Sequence, residues 1–263
     1  MRFSTIVLSA LVLTTGLATA VGSEDLTIVS RHTHDGKPAG TSTSYLASDH
    51  IRMARESGHE TIMDLKAGVM TTLDGTKKTY YSVTKQDMEQ LSAKMKEKMN
   101  TPEMKKAMEA MASMSGSMAT SFEVKNTGAS RKVAGFRCEE WTISMGTMST
   151  IKECVTTELQ YPAHALDAYK EFSESMKNMT TAFGPMAKSG ADLAEKLKNM
   201  KGYPVATTTV IDVMGNKTTT ESEVVEVRRG SIPSSAWEIP IGYTKIENPM
   251  LKAMENHGRP HQH

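Results

Sequence analysis

Aromatic side chains are scarce in this chain of 263 residues, which contains five Phe, seven Tyr and two Trp. A hydrophobic core therefore cannot rely mainly on large rings. Methionine, by contrast, occurs 21 times, and its flexible thioether side chain must supply part of the apolar burial that Leu and Phe usually provide.

An excess of charge of either sign is also missing. The chain has 31 Lys and Arg residues against 30 Asp and Glu residues. A balance this close to zero gives no electrostatic basis for binding nucleic acid or an anionic membrane surface. We therefore expect no nucleic-acid partner.

Long apolar runs are confined to the amino terminus. Arg2 precedes an apolar run over residues 6–13, and the small-residue pattern Ala18-Thr19-Ala20 follows. This order is typical of a cleavable signal peptide over residues 1–20, and the apolar run is too short to span a bilayer. The sequence predicts an exported, periplasmic protein without a membrane-spanning segment after cleavage.

The motifs that commonly carry catalysis are missing from the sequence. It has no Gly-x-Ser-x-Gly or His-Glu-x-x-His pattern and no glycine-rich phosphate loop. The adjacent acidic pair Glu139-Glu140 would point to opposite faces of a strand, which makes the two carboxylates poor joint acid–base partners. These absences predict a protein that is not an enzyme and needs no cofactor.

Only two cysteines are present, and in an exported chain they are expected to form one disulfide. Strands are predicted over residues 134–144 and 148–157, on either side of Gly146. A turn centred on Gly146 places Cys138 directly opposite Cys154. A two-residue turn at the same place would shift the register by one and put the two thiols on opposite faces. The spacing matches neither a Cys-x-x-Cys redox pair nor a structural zinc pattern.

Short segments with a two-residue hydrophobic alternation dominate the first third of the mature chain. They cover residues 25–34, 41–47, 51–55, 61–65, 69–73 and 79–83. Turn residues separate them at short, regular intervals, which is typical of an antiparallel meander. Further strands are predicted over residues 121–126, 205–213, 218–227 and 237–246.

At Gln86 the hydrophobic period changes from two residues to about 3.6, which indicates a helix. Two helical insertions are predicted, near residues 86–118, with an interruption at Pro102, and near 162–201. The pattern as a whole predicts an α+β fold in which a curved antiparallel sheet carries both insertions on its concave face. We expect one ligand-binding domain over residues 21–248 and a disordered tail over 249–263.

A stripe of apolar residues, most of them methionines, follows the first helical insertion at spacings of three to five residues. Its members are Met88, Leu91, Met95, Met99, Met104, Met108 and Met111. They could pack in the core as one face of an amphipathic helix. They could also line a ligand cavity or form its lid, because unbranched thioethers adapt to irregular apolar partners.

A third interpretation of the methionines is soft-metal binding, because thioethers favour Cu(I) and Ag(I). The candidate ligands are Met95, Met99, Met104, Met108, Met111 and Met114. His32 and His34 would share one face of a strand, and a hydrogen-bonded or solvent-facing pair is the simpler interpretation of them than a metal site.

Several segments resemble an exported bacterial family described as a domain of unknown function. The segments are 51–53, 61–65, 68–74, 77–81, 132–141, 202–205 and 239–243. Their most specific element is Lys132-x-Ala134-Gly135-Phe136-x-Cys138-Glu139. That family is similar in fold to the LolA-like periplasmic lipoprotein carriers. The resemblance implies an unclosed β-barrel with helices plugging its mouth, an apolar cavity for acyl chains and no catalytic residues.

Three functions are consistent with these patterns. The first is a non-enzymatic periplasmic binding or carrier protein for a lipid, a lipidated protein or another hydrophobic ligand. The second is a methionine-rich protein that binds Cu(I) or Ag(I) in the envelope. The third is a structural or interaction protein without a small ligand.

Overall fold

The computed structural model describes residues 25–102, 104–106, 122–146, 148–161, 196–197, 199–213, 215–249 and 252. The predicted signal peptide, nearly all of the second helical insertion and most of the predicted tail lie outside these residues. The described strands are β1 Leu26–His34, β2 Lys37–Leu46, β3 His50–Arg55, β4 His59–Asp64, β5 Val69–Asp74, β6 Thr79–Thr84, β7 Phe122–Val133, β8 Phe136–Met145, β9 Ser149–Thr156, β10 Tyr203–Val213, β11 Asn216–Arg229 and β12 Thr244–Lys245. Helix α1 spans Lys85–Met99, and one turn of 3₁₀ helix spans Ser234–Trp237.

These strands form one sheet in the order β12-β6-β5-β4-β3-β2-β1-β11-β10-β9-β8-β7. The paired strands are antiparallel, apart from β12 and β6, which run parallel. Over the described residues β7 and β12 are the two edges and do not pair with each other, so the sheet is unclosed. The large, unclosed antiparallel sheet predicted from the sequence is confirmed.

The sheet curves at its β7 end. In a flat sheet β7 and β11 would lie about 19 Å apart, because four strand spacings separate them. Arg131 on β7 nevertheless reaches Glu223 on β11, with 3.9 Å between Nη1 and Oε2. Glu223 also contacts Arg31 at 3.4 Å. The β7–β8 end of the sheet therefore curls back towards its centre.

Two hairpins turn more tightly than the sequence predicted. Asp35 and Gly36 have φ values of 49° and 73°, and Ala134 and Gly135 have values of 48° and 89°. Positive φ at both central residues is typical of a two-residue turn whose twist matches the strands. As a result β2 begins at Lys37 instead of residue 41. Ala134, which was predicted to open a strand, lies in the turn, and β8 begins after it.

The β8–β9 hairpin carries the Cys138–Cys154 disulfide, with 5.2 Å between the two Cα atoms. The predicted register of this hairpin is wrong, because Glu140 and not Cys138 lies opposite Cys154. The error is two residues, which is one full period of a strand. Cys138 therefore lies on the same face of the hairpin as Glu140 and Cys154, and the disulfide joins the two strands diagonally.

Residues 230–249, which we call the strap, cross the sheet on the side of His50 and Arg52. Arg52 Nη1 donates a hydrogen bond to the carbonyl oxygen of Ala236 at 2.6 Å. The His50 ring stacks on Trp237 with 5.2 Å between the centroids. On this same face Ile62 and Leu73 are 6% and 0% exposed.

The strap does not form the strand predicted over residues 237–246. Only Thr244 and Lys245 pair with β6, and a 3₁₀ turn precedes them. Pro240 within the predicted strand lacks the N–H group that a ladder requires. The segment therefore packs mainly through side chains and single hydrogen bonds.

Candidate functional site: the Leu26 face of the sheet

One face of the sheet combines buried residues with accessible apolar ones. Leu26 and Ile28 on β1 are both 1% exposed. Because side chains alternate along a strand and neighbouring strands are in register, the residues on the same face can be followed from strand to strand. We call this surface the Leu26 face.

An unbroken row of apolar side chains crosses six strands of the Leu26 face. In register order its members are Leu26, Leu46, Ile51, Met63, Met70 and Val83, and we call them the apolar row. Four are buried, whereas Met63 and Met70 are only half-buried. Met53, in the next row, is 43% exposed. The accessible apolar area of this region therefore lies on methionines, whose flexible side chains adapt to varied partners.

Helix α1 begins directly where the apolar row ends. Thr84 follows Val83 and caps the helix, since its Oγ1 accepts a hydrogen bond from the Asp87 N–H at 3.1 Å. Asp87 Oδ2 in turn accepts from the Thr84 N–H at 2.8 Å. This reciprocal arrangement is a capping box. Val83 and Met88 occupy the flanking positions at which apolar side chains commonly pack as a hydrophobic staple.

The capping box makes the stability of α1 dependent on pH. Hydrogen bonds from Thr84 lower the pKa of Asp87 below its ordinary value of 3.8. A lowered folded-state pKa stabilises the protein above that ordinary value, and the stabilisation is lost as the pH falls through the lower folded value. We expect Asp87→Asn to cost about 1 kcal/mol at pH 7 and to cost less below about pH 4. Urea unfolding of both proteins at several pH values measures this difference, and a cost independent of pH would contradict it.

The predicted methionine stripe is only partly within the described residues. Leu91 is 3% exposed on α1, which packs against β6. Met88 is half-buried and Met104 is 40% exposed. Of Met95 and Met99 the structure describes the backbone alone, and Met108, Met111 and Met114 lie outside the described residues. The structure thus buries Leu91 on α1, leaves Met88 half-buried, and leaves Met104 exposed.

No group of three or more His, Cys, Asp or Glu side chains in the described parts of the chain is arranged to hold a metal ion. His32 and His34 do lie on one face, but each has a neighbour of its own. His32 Nε2 lies 2.7 Å from the hydroxyl of Ser42, and His34 Nε2 lies 3.6 Å from Asp35. Burial, and secondarily the charge of Arg55, lowers the pKa of His32.

A second row, of mostly polar side chains, crosses six strands of the Leu26 face, from β7 through β11 to β1. In register order its members are Asn126, Trp141, Glu153, Thr207, Ser222 and His32, and we call them the polar row. Glu153 is half-buried, and its burial raises the pKa of its carboxyl. Apolar residues continue beyond it, because Ile143 lies opposite Ile151 in the next row.

The residues that shape this face most were not predicted from the sequence as site residues: Met63, Met70, Trp141 and Glu153. Met63 and Met70 lie at equal distances from the centre of the β4–β5 loop, residues 65–68, so their pairing within one hairpin is a local signal. The polar row as a whole lacked such a signal, because β1 pairs with β11, and β9 with β10, across long stretches of chain.

Within the described residues no helix is both long and apolar enough to pass through a membrane. The features above define a disulfide-bonded protein built on an unclosed antiparallel sheet, with one face that is apolar and partly accessible. A family model described as "Domain of unknown function (DUF4412)" matches residues 28–243. The chain belongs to this family, which confirms the resemblance noted from the sequence.

Comparison with other proteins adds no function. No curated protein matches the chain. Among solved structures, PNGF-II is similar at 13% identity and a TM-score of 0.41, over 88% of this chain and 32% of that one. MucB in its complex with MucA from Pseudomonas aeruginosa is similar at 8% identity and a TM-score of 0.40, over 84% of this chain and 56% of that one. MucB alone gives 9% identity, a TM-score of 0.36, and coverages of 81% and 56%. Likenesses this low identify neither a ligand nor a partner.

Proposed function

We propose that this protein is a non-enzymatic binding or carrier protein of the periplasm that takes up a hydrophobic ligand, such as a lipid or acyl chain, on the Leu26 face. The apolar row carries the proposal. It offers a continuous apolar path across six strands, and its two half-buried methionines leave part of that path accessible. Burial of apolar surface, without any chemical step, would provide the affinity.

The free energy gained by burying apolar surface at such a site is sufficient for binding. Each methylene group removed from water contributes about 0.8 kcal/mol. An acyl chain with about ten buried methylenes would gain on the order of 8 kcal/mol before the costs of association. The methionine side chains can change rotamer to follow the chain, which suits a ligand without a rigid shape. Helix α1, which starts at the end of the row, is the nearest described element that could cover a bound ligand.

Binding of the neutral fluorescent probe N-phenyl-1-naphthylamine to delipidated protein tests the proposal. The double variant Met63→Thr and Met70→Thr removes the accessible apolar area but keeps residues suited to strands. We expect its Kd for the probe to rise about tenfold. The matched control is Val29→Thr with Val210→Thr, two half-buried residues on the opposite face, and its Kd should not change. Absent probe binding, or equal effects of the two pairs, would refute the proposal.

A soft-metal function has one observation in its favour. The register puts Met63 opposite Met70, and Met53 lies on the same face one row away. Thioethers are ligands that Cu(I) and Ag(I) prefer. Substituting Met63 and Met70 by Leu separates the two functions, because Leu keeps the apolar area and removes both sulfurs. Probe binding that survives this change supports the carrier function, whereas Ag(I) binding that is lost with it supports the metal function.

A further inference from the structure

Glu153 is an unusual residue for the middle of a ligand-binding face. It lies on β9, its side chain is half-buried, and it forms no hydrogen bond or ion pair with another described residue. Burying a carboxylate without a partner is costly. A group of this kind on an accessible face is therefore a candidate for ligand recognition.

The neighbours of Glu153 suit a cation. Trp141 lies directly opposite on β8, and Thr207 lies on the other side on β10. The indole ring of Trp attracts cations over its face. Glu139 is two residues from Trp141 on the same strand face and adds a second carboxylate, which accepts a hydrogen bond from Asn126 at 3.1 Å.

No compensating positive charge is found among the described residues that the register places around Glu153 on this face. On β8 and β9 its remaining neighbours besides Glu139 are apolar: Ile143, Ile151 and Val155. Lys152 precedes Glu153 on the strand and therefore points to the opposite face. The site thus combines two carboxylates and an indole with an apolar floor.

We propose that Glu153 and Trp141 bind the ammonium head of a cationic amphipathic ligand, whose apolar tail lies over Ile143 and Ile151. The proposal rests on the proposed function, names the chemical class of a ligand, and places that ligand on the β8–β9 part of the Leu26 face, beside and not on the apolar row. The carboxylate supplies the charge, and the indole supplies the cation–π contact. Together they would discriminate an ammonium head from a neutral one of similar size.

Isothermal titration with two amphiphiles of equal tail length tests this inference. Dodecyltrimethylammonium carries the cationic head, and dodecyl maltoside is its neutral counterpart; both are used below the concentrations at which they form micelles. We expect the cation to bind about tenfold more tightly than the neutral compound. Tetramethylammonium alone should bind far more weakly, because it lacks the tail.

Three variants assign this preference to the site. Glu153→Gln should remove it and leave the affinity for dodecyl maltoside unchanged, and Trp141→Leu should reduce it about threefold. The matched control is Glu123→Gln, which makes the same charge change at an exposed residue of β7 on the opposite face. Glu153→Gln should fold, because a neutral amide is easier to bury than a carboxylate.

The outcomes separate this inference from the proposed function. Equal binding of both amphiphiles to the wild type overturns the ammonium site and leaves the carrier function standing. If neither amphiphile binds, both the ammonium site and the carrier function are overturned. Equal affinity for tetramethylammonium and its dodecyl derivative shows a site for small cations and rejects an amphipathic ligand. A preference that persists in Glu153→Gln places the cation elsewhere and also rejects the assignment.

Discussion

Replacing Cys138 and Cys154 together by alanine is expected to lower the free energy of unfolding by about 3 kcal/mol. The bond closes a loop of 16 residues, and its loss restores conformational freedom to the unfolded chain. Both cysteines are buried, at 1% and 2% exposure. Alanine is preferred to serine because a buried hydroxyl without a partner would add a separate cost. Chemical denaturation monitored by circular dichroism measures the change.

Reduction of the wild-type protein is the control for this double variant. Reduced wild type keeps both sulfur atoms and loses only the covalent bond. Most of the decrease in the free energy of unfolding should therefore also occur in the reduced wild-type protein. The reductant should not change the stability of the alanine variant, which has no disulfide. If reduced and oxidised wild type unfold at the same denaturant concentration, the bond contributes nothing to stability and the prediction is wrong.

Arg52→Met is expected to destabilise the protein by about 3 kcal/mol. The Arg52 side chain is 12% exposed and pairs with Glu60, which is 17% exposed. Its Nε lies 2.8 Å from Glu60 Oε2, and the same guanidinium holds the strap through Ala236. Removing the cation leaves a carboxylate that is poorly solvated and has lost its partner. The strap loses a hydrogen bond at the same time.

The double variant Arg52→Met with Glu60→Met should recover most of this loss. Buried ion pairs can often be replaced by apolar side chains of similar volume at little cost. The control is Arg228→Met, because Arg228 pairs with Glu226 at 63% and 54% exposure and exposed pairs contribute well under 1 kcal/mol. Equal stability of the Arg52→Met variant and the double variant would show that the unpaired charge is not the cause. Thermal unfolding of the four proteins provides the comparison.

Local patterns in the sequence predicted most of the strands. The alternation of apolar and polar residues over 25–34 and 69–73 corresponds closely to β1 and β5, since a strand exposed differently on its two faces imposes a period of two. The helix predicted from Gln86 begins one residue earlier, at the capping Thr84–Asp87 pair. Two strand predictions failed where a local turn or breaker signal outweighs the alternation. Ala134 lies in a two-residue turn with Gly135, and Pro240 within 237–246 lacks the N–H group that a ladder requires.

The sequence by itself determined the strand segments, the helix that follows β6 and the single pair of cysteines, because periodicity, capping and residue type are local properties. Only the tertiary structure decided which strands are neighbours. It placed β1 beside β11, and so aligned Glu153, Thr207 and His32 in one row although they are far apart in the chain. It also folded the strap onto the side of the sheet that carries His50 and Arg52. Such arrangements depend on pairing and burial between distant segments, and no local pattern of residues encodes the partner of a strand.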